Sequence, residues 1–309
     1  MIFVRSLRTH LREDKTVMDF WSKLIELYTA TAEYVGVISL SITIVAFLIA
    51  WVKSDRKRKK SQRILNRLCK CKKKDKIKIV IPYHELSPSL YGTRKYVLAD
   101  EMDEIQRLYQ LFWETYGFQK IALPPAQEEA ELNIFIGGPA VSPEASRCFH
   151  RYIPNFRCFF YGKEKQYKSS QNDNYFFECK DSVSENNDIQ EGFYFDNEES
   201  AFQKHLSVKL VDGKRKDYFS DYALFIRIEE SDINKNRSNI IMFGQSSCGT
   251  QTAVDFFINH YDKLNMLVKQ NGHENENFMF CFDVIPIKTN NTGTIEVNSL
   301  VDLSGYLKK

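Results

Sequence analysis

The chain has 309 residues, 43 of them Lys or Arg and 40 Asp or Glu, and its net charge is +3. The charge is unevenly distributed, because residues 53–78 carry +12 and residues 79–309 carry −9. An acidic region of this size lacks the broad basic surface of proteins that bind long nucleic acids, so an anionic ligand requires a local site. The seven cysteines show no paired pattern and the six histidines no metal-ligand spacing, so neither a metal nor a cofactor is predicted.

The first predicted element is a long helix that contains an apolar segment. Tyr34 to Val52 is a run of 19 residues without an ionisable side chain, and helical periodicity extends from about residue 16 to about residue 70. A helix rises about 1.5 Å per residue and a bilayer core is about 30 Å thick, so about 20 apolar residues cross it. A basic run follows instead of a small-residue cleavage site, which argues against a signal peptide. The segment predicts one transmembrane helix.

The flanking charges predict its orientation. Residues 1–33 contain five basic and five acidic residues, whereas residues 53–78 contain fourteen basic residues and two acidic ones. Lys and Arg remain on the cytoplasmic side during insertion. We therefore expect a single-pass protein of the inner (plasma) membrane with the N-terminus outside. The predicted parts are an extracytoplasmic helix (1–33), the transmembrane helix (34–52), a basic juxtamembrane helix or linker (53–76) and a cytosolic α/β ligand-sensing domain (77–309).

Small residues recur along one face of the transmembrane helix. Steps of three and four place seven of them together, and bulky side chains occupy the rest of the surface. Small faces let helices approach closely in lipid, so this face predicts a homo-oligomer, and any pore requires several copies. A passive anchor is the alternative. The predicted oligomer or pore face consists of Thr29, Ala32, Gly36, Ser39, Thr43, Ala46 and Ala50.

The remaining residues alternate between strand and helix patterns. Helices are predicted at 94–117, near 143–152 and in the second half of 239–269. An acidic, polar stretch at 180–200 is predicted to be an exposed excursion. The alternation predicts an α/β, Rossmann-like layered domain, largely parallel, with antiparallel additions. Strands are predicted at 77–83, 132–138, 156–162, 174–179, 205–211, 221–230, the start of 239–269, 278–288 and 292–300.

Two strand–loop–helix junctions carry the predicted ligand site. Free N–H groups and the positive end of the dipole at a helix start favour phosphate, and both loops would face the carboxyl edge of the sheet. Glycine placed there for turn geometry alone is the alternative. The predicted ligand-binding residues are Gly137, Gly138, Pro139, Ser142 and Arg147 in the first junction, and Gly244, Ser246, Ser247, Gly249, Thr250 and Gln251 in the second.

The second loop differs from a P-loop in the residues that matter. Gly244 and Gly249 have the right separation, but Thr250 stands at the lysine position and Gln251 at the hydroxyl position. No cation is left for the β- and γ-phosphates. Hydrolysis of a nucleoside triphosphate by the P-loop mechanism is therefore excluded.

A strand ending in Gly137-Gly138-Pro139 and a later G-x-x-x-x-G-T at 244–250 resemble the SLOG superfamily of Rossmann-like nucleotide-binding domains, which includes the LOG-type phosphoribohydrolases. A membrane span joined to a cytosolic sensor resembles the transmembrane effectors of bacterial antiviral signalling systems of the CBASS and Hailong types. The enzymes carry P-G-G-x-G-T-x-x-E, but here Ala253 stands at the Glu position, and Ser247 and Cys248 interrupt the glycines. Without that carboxylate, the resemblance implies sensing rather than turnover and no catalytic residues.

Three functions follow from these observations. The leading hypothesis is an oligomeric antiviral effector that binds a nucleotide or oligonucleotide second messenger, supplied by a signal-producing nucleotidyltransferase, and gates membrane permeability. The second is a membrane-tethered nucleotide-processing enzyme of LOG-like type, in which Asp255 substitutes for the missing Glu. The third is a passive anchor that recruits a partner protein through residues 180–200. Cys248, at a helix start, is interpreted either as a reactive thiol or, more simply, as a bystander.

Overall fold

A computed structural model of the chain divides it into two compact units, Met1–Lys59 and Lys60–Lys309. Residues 1–14, part of the predicted extracytoplasmic segment, lie outside the residues that it describes. The described residues are 15–72, 74–81, 84–85, 95–96, 99–122, 130–139, 142–160, 177–179, 188–195, 202–211, 215–232, 235–287 and 293–308.

One unbroken helix, α1, runs from Lys15 to Leu68, which confirms the predicted continuous helix. The 54 residues contain no proline and a single glycine, Gly36, so nothing in the sequence interrupts the backbone hydrogen bonds. Lys70 follows in the left-handed region with a φ of 52°, a conformation that ends helices. The last turns of α1, from Lys60 onward, belong to the second unit.

Large apolar side chains of α1 are exposed in the first unit. From Phe20 to Val52, sixteen of the side chains that the structure describes each present between 39 and 71% of their surface. Within the part of the chain that the structure describes, no helix was found that is both long and apolar enough to cross a membrane. The exposed side chains are Phe20, Trp21, Leu24, Ile25, Leu27, Tyr34, Val35, Leu40, Ile42, Ile44, Val45, Phe47, Leu48, Ile49, Trp51 and Val52.

The predicted small-residue face contains hydroxyls that bond within their own helix. Thr29 Oγ1 donates to the carbonyls of Ile25 and Glu26, both at 2.9 Å, and Thr43 Oγ1 donates to that of Ser39 at 2.9 Å. These hydroxyls therefore need no partner from outside the helix. Ser39, Ala46 and Ala50 are also exposed, and the burial of Ala32 and Gly36 lies outside what the structure describes.

The second unit contains the strands and the shorter helices. The helices are α2 (Ala99–Tyr116), α3 (Pro143–Tyr152) and α4 (Ser247–Gln270). The strands are β1 (Ile77–Val80), β2 (His84–Glu85), β3 (Lys95–Tyr96), β4 (Ile121–Ala122), β5 (Leu132–Ile136), β6 (Phe156–Phe160), β7 (Phe177–Cys179), β8 (Asp188–Phe195), β9 (Gln203–Val211), β10 (Arg215–Tyr218), β11 (Asp221–Asp232), β12 (Lys235–Phe243), β13 (Phe278–Pro286) and β14 (Gly293–Asp302).

A mixed seven-stranded sheet is built in the order β14-β13-β11-β12-β5-β1-β4. The neighbours β1–β4, β1–β5 and β5–β12 are parallel, and β11–β12, β11–β13 and β13–β14 are antiparallel. The sheet is thus less parallel than predicted. Only two residues separate β11 from β12, and so short a connection joins antiparallel strands.

Both faces of this sheet are covered. One face packs against α2, α4 and the end of α1, where Phe112, Phe257 and Leu68 are fully buried. The other face packs against α3 and a five-stranded sheet of order β10-β9-β8-β6-β7, where Phe149 and Phe193 are fully buried. The unit is therefore a layered mixed α/β domain, which confirms the predicted class.

The helix starts are capped as their sequences suggest. Ser142 Oγ accepts from the Ala145 N–H, and Pro143 occupies the first turn of α3, where its missing N–H costs nothing. Ser246 Oγ accepts from the Cys248 N–H at the start of α4. The predicted bounds of the helix at 143–152 are confirmed.

The predicted exposed excursion at 180–200 is wrong for its central part. Residues 188–195 form β8, which pairs with β6 on one side and β9 on the other. Ile189, Phe193 and Phe195 alternate with polar residues and are buried, and Glu191 is buried with them. The period-two apolar pattern in this segment outweighs its acidic composition. The flanking residues 180–187 and 196–200 lie outside the described part.

Candidate functional site

The two glycine loops lie side by side, as predicted. They follow β5 and β12, which are adjacent and parallel, so both loops leave the carboxyl edge of the sheet. The Gly137 N–H donates to the carbonyl of Met242 at 2.9 Å, and Gly137 has a φ of 90° that favours glycine. The structure therefore brings the two predicted halves of the site together.

The first loop is packed into the protein. Gly137, Gly138 and Pro139 are buried, and a Cβ on Gly138 would stand 2.7 Å from the Phe243 ring. Ser142 is also buried, with its hydroxyl engaged in the cap of α3. The close backbone approach at these residues is thus an approach to the domain's own core.

The second loop already holds an anion, the carboxylate of Asp221. This residue begins β11 and is fully buried. Its Oδ1 accepts from the N–H groups of Tyr222 (2.7 Å) and Gln245 (3.0 Å). Its Oδ2 accepts from those of Ser246 (3.1 Å) and Gly249 (3.0 Å), and from the Ser246 hydroxyl. An incoming phosphate would have to displace this carboxylate to reach the same donors.

Asp221 was not among the site residues predicted from the sequence. Burial raises its pKa to about 6, and the hydrogen bonds from Ser246, Tyr222 and Gln245 limit that rise. The group is therefore ionised at neutral pH and complements the positive end of α4. The only feature of the sequence that marks this residue is its position, as an acid at the start of an apolar strand. Nothing in the sequence relates that position to a loop more than twenty residues later.

The glycines of the second loop are required by this arrangement. A Cβ on Gly249 would lie 2.5 Å from the Tyr222 carbonyl oxygen and 2.6 Å from the Asp221 carboxyl carbon. A Cβ on Gly244 would lie 2.4 Å from the same Tyr222 oxygen. The spacing Gly244-x-x-x-x-Gly249 thus allows β11 to pack closely against the loop.

The other predicted residues of the second loop have separate positions. Thr250 Oγ1 accepts from the Gly244 N–H at 3.0 Å and closes the turn. Ser247 is exposed on the first turn of α4. Gln251 is buried, and its Nε2 has no hydrogen-bond partner among the described residues. Of these three, only Thr250 helps to hold the loop.

A buried polar network ties this loop to the five-stranded sheet. The Tyr222 hydroxyl donates to Gln245 Oε1 at 2.9 Å, and Gln245 Nε2 donates to the Phe159 carbonyl at 3.2 Å. The Tyr218 hydroxyl donates to the carboxylate of Glu191 at 2.6 Å. Burial raises the pKa values of both tyrosines well above their usual range, so both remain neutral donors.

Cys248 and Asp255, the groups that the sequence offered for catalysis, both lie on α4. Cys248 is half-buried, and burial with the nearby Asp221 raises the pKa of its thiol to about 11, which favours the bystander interpretation. Asp255, the predicted substitute carboxylate, forms an ion pair with Arg107. Glu104 is buried beside them, and burial raises its pKa to about 7. These acids join α2 to α4, away from the loops at the sheet edge.

Replacing Gly249 by Ala is expected to lower the free energy of unfolding by about 2 kcal/mol or more, because the new methyl overlaps rigid backbone and a buried carboxylate. The measurement is chemical denaturation of the full chain in detergent, followed by Trp fluorescence. Gly305→Ala is the matched control, because a Cβ there meets nothing within 4 Å. Equal stability of the two variants would contradict the packing role of Gly249.

Within the described residues, no group of three or more His, Cys, Asp or Glu side chains is placed to hold a metal ion. Comparison of the chain with known protein families, with curated proteins and with solved structures found no match.

Proposed function

We propose that this chain is a membrane-anchored, self-associating effector whose cytosolic domain binds a nucleotide or short oligonucleotide and thereby changes membrane permeability. The supporting observation is that α1 exposes apolar side chains around its circumference and continues, as the same helix, into the core of a folded domain. Phe47, Leu48 and Ile49 illustrate the first part, because successive residues of a helix point about 100° apart and all three are exposed.

The exposed apolar side chains of α1 require an apolar environment around the helix. Burying a large apolar side chain stabilises a folded protein by about 1.5–3 kcal/mol, and sixteen of the described side chains between Phe20 and Val52 are exposed. A helix in water covers at least one face with polar groups, whereas residues 34–52 carry no charge on any face. Lipid, together with copies of the same helix, provides the surroundings that such a segment requires.

Self-association is supported by the small-residue face. The Thr29 and Thr43 hydroxyls bond to their own helix, so another helix or lipid can contact this face without leaving a donor unpaired. One helix cannot enclose a path for ions, so the permeability change requires an oligomer. The proposal allows the ligand either to open the assembly or to hold it closed.

The coupling to the domain is supported by the end of α1. Leu65 and Leu68 are fully buried in the domain core. The guanidinium of Arg227, on β11, donates to the carbonyls of Arg67 and Leu68 at 3.2 and 3.0 Å. A ligand that binds two packings of the sheet with different affinity would thus bias the position of this helix end.

The other two functions have less support. A LOG-like enzyme would need a free carboxylate in the place of Ala253, and Asp255 is paired with Arg107. A passive anchor that recruits its partner through residues 180–200 would need that segment to be free, but β8 lies inside a sheet. Contact of the ligand with the glycine loops is still a prediction. The parallel strands that precede both loops support a Rossmann-like domain that binds a ligand.

The proposal is tested by dye leakage from liposomes that contain the full chain. Mononucleotides, linear dinucleotides and cyclic oligonucleotides are added one class at a time. We expect one class to change the leakage rate at least tenfold in one direction. A rate unaffected by every class, with the protein shown to be inserted, would refute ligand gating.

Replacing Ile44 by Arg is expected to reduce membrane insertion of the full chain, since a charge near the centre of a transmembrane helix costs about 2.5–3.5 kcal/mol. Ile44 is exposed and lies mid-way along the apolar segment. The measurement is the fraction of protein that resists alkaline extraction from cell membranes. Ile44→Leu is the control, and equal membrane fractions for the two variants would contradict the proposed span.

A further inference from the structure

A second candidate site lies away from the glycine loops, in a cavity of about 510 Å³ between α3 and the seven-stranded sheet. Its floor is the face of β1, β5 and β12 that α3 covers, towards the amino ends of β1 and β5. Cavities of this size are typical of sites for small molecules. The predicted ligand residue Arg147 lines it, whereas the glycines lie at the opposite, carboxyl edge.

Polar residues interrupt an apolar face at this point. Lys78, Asn133 and Asn239 are in register on the three adjacent strands. Further along the same face the neighbours are apolar, with Val80 and Phe135 buried in the core. A purely structural floor would continue the apolar pattern, so this polar row requires another explanation.

The central observation is the amide of Asn239. This side chain is 2% exposed and lines the cavity. Asn133 Nδ2 donates to Asn239 Oδ1 at 3.0 Å. Asn239 Nδ2 then has no hydrogen-bond partner within the described residues. Because buried donors are normally satisfied, a ligand oxygen at this position would complete the network.

The cavity wall is cationic in an acidic domain. Four of its lining side chains are basic and two, Glu144 and Glu230, are acidic. Glu230 also accepts from the Cys148 thiol at 3.7 Å. Neither Lys78 nor Arg147 has a carboxylate within 4 Å among the residues described, so both cations remain for a ligand. The basic side chains are Lys78, Arg147, Arg151 and Arg237.

We infer that this cavity binds a phosphorylated small molecule. The phosphate contacts Arg147 and Lys78, an oxygen of the remaining part accepts from Asn239 Nδ2, and Val80, Phe135 and Ala130 contact its apolar surface. Burial raises the pKa of the Cys148 thiol to about 12, so this thiol remains protonated beside the ligand. This inference goes beyond the proposed function and concerns binding alone, so it does not depend on membrane gating.

The test is isothermal titration calorimetry of the full chain in detergent with inorganic phosphate, pyrophosphate and adenosine 5′-monophosphate. We expect at least one of these probes to bind with a Kd below about 1 mM, and adenosine to bind at least tenfold more weakly than the monophosphate. Arg147→Glu is expected to weaken the binding at least tenfold, and Arg147→Lys at most a few-fold. Lys263→Glu is the charge-matched control, because α4 covers the opposite face of the sheet.

Asn239→Asp tests the amide separately. It keeps the oxygen that accepts from Asn133 and replaces the donor by a negative oxygen, so we expect at least tenfold weaker binding. Thermal unfolding of each variant shows whether it is folded. Binding unchanged by both Arg147→Glu and Asn239→Asp, or no binding of any probe at about 10 mM, would overturn the inference. The leakage assay tests the gating proposal and the calorimetric titration tests this site, so failure of one leaves the other standing.

Discussion

Replacing Asp221 by Asn is expected to lower the free energy of unfolding by about 3 kcal/mol or more. The carboxylate accepts from the N–H groups of Tyr222, Gln245, Ser246 and Gly249 and from a hydroxyl, all inside the protein. An amide has only one oxygen. In the variant, the amide NH₂ group would therefore face N–H groups that now donate to the second carboxylate oxygen, and these donors would lose their acceptor. Thermal and chemical denaturation of the full chain in detergent measure the loss.

The raised pKa of Asp221 also predicts how this loss depends on pH. Because the pKa of Asp221 is raised from 3.8 to about 6 on folding, its protonation stabilises the folded state below pH 3.8, and that contribution is lost as the pH rises through 6. The stability difference between wild type and Asp221→Asn should therefore be larger at pH 5 than at pH 8. Asp262→Asn on the exposed face of α4 is the control, and a similar loss in both variants would contradict the role of Asp221.

Replacing Arg227 by Met is expected to destabilise the domain by about 3 kcal/mol or more, and to loosen the end of α1 first. The side chain is fully buried and donates to Arg67 and Leu68 on α1. It also donates to the carbonyls of His273, at 2.6 Å, and Glu276. Methionine fills the volume but leaves these buried carbonyls without donors. Hydrogen exchange of residues 65–69 and 271–277 measures the local loosening.

A second variant at Arg227 and a control at Arg63 distinguish the effect of the positive charge from that of the guanidinium shape. Burial lowers the pKa of this guanidinium, yet arginine remains charged in proteins, and its planar fork can reach carbonyls on both sides. Arg227→Lys keeps the charge without the fork, so its loss should lie between those of wild type and Arg227→Met. Arg63→Met, at an exposed position of α1, is the control for loss of a positive charge. Faster exchange in Arg63→Met than in Arg227→Met would refute the role given to Arg227.

If the proposed gating is correct, Arg227 connects the second glycine loop to the end of α1. It belongs to β11, which also begins with Asp221, so one strand contacts both the second glycine loop and the end of α1. A shift of this strand would alter both contacts together. The Arg227→Lys variant should therefore reduce the ligand-dependent change in leakage more than it reduces ligand binding.

The sequence pattern predicted one part of the candidate site and not the other. The glycine spacing and the strand–loop–helix order correctly indicated two neighbouring loops at the carboxyl edge, because strand direction and local turn geometry depend on nearby residues. The occupant of the second loop could not be predicted in this way. Asp221 reaches that loop only through the pairing of β11 with β12, a contact between residues distant in sequence. The buried Glu191 was missed for a related reason, since composition outweighed the alternation of its strand.

The sequence by itself determined the continuous helix α1, its apolar and charge-free segment, the basic run that follows and the α/β class of the domain. These features depend on composition and on periodicities of 3.6 and 2 residues, which are local properties of the chain. Tertiary structure decided the rest. It brought the Asp221 carboxylate to the donors of α4, the Arg227 guanidinium to the end of α1, and Lys78, Asn133 and Asn239 into one row beneath α3, because each of these arrangements joins strands and helices that are far apart in the sequence.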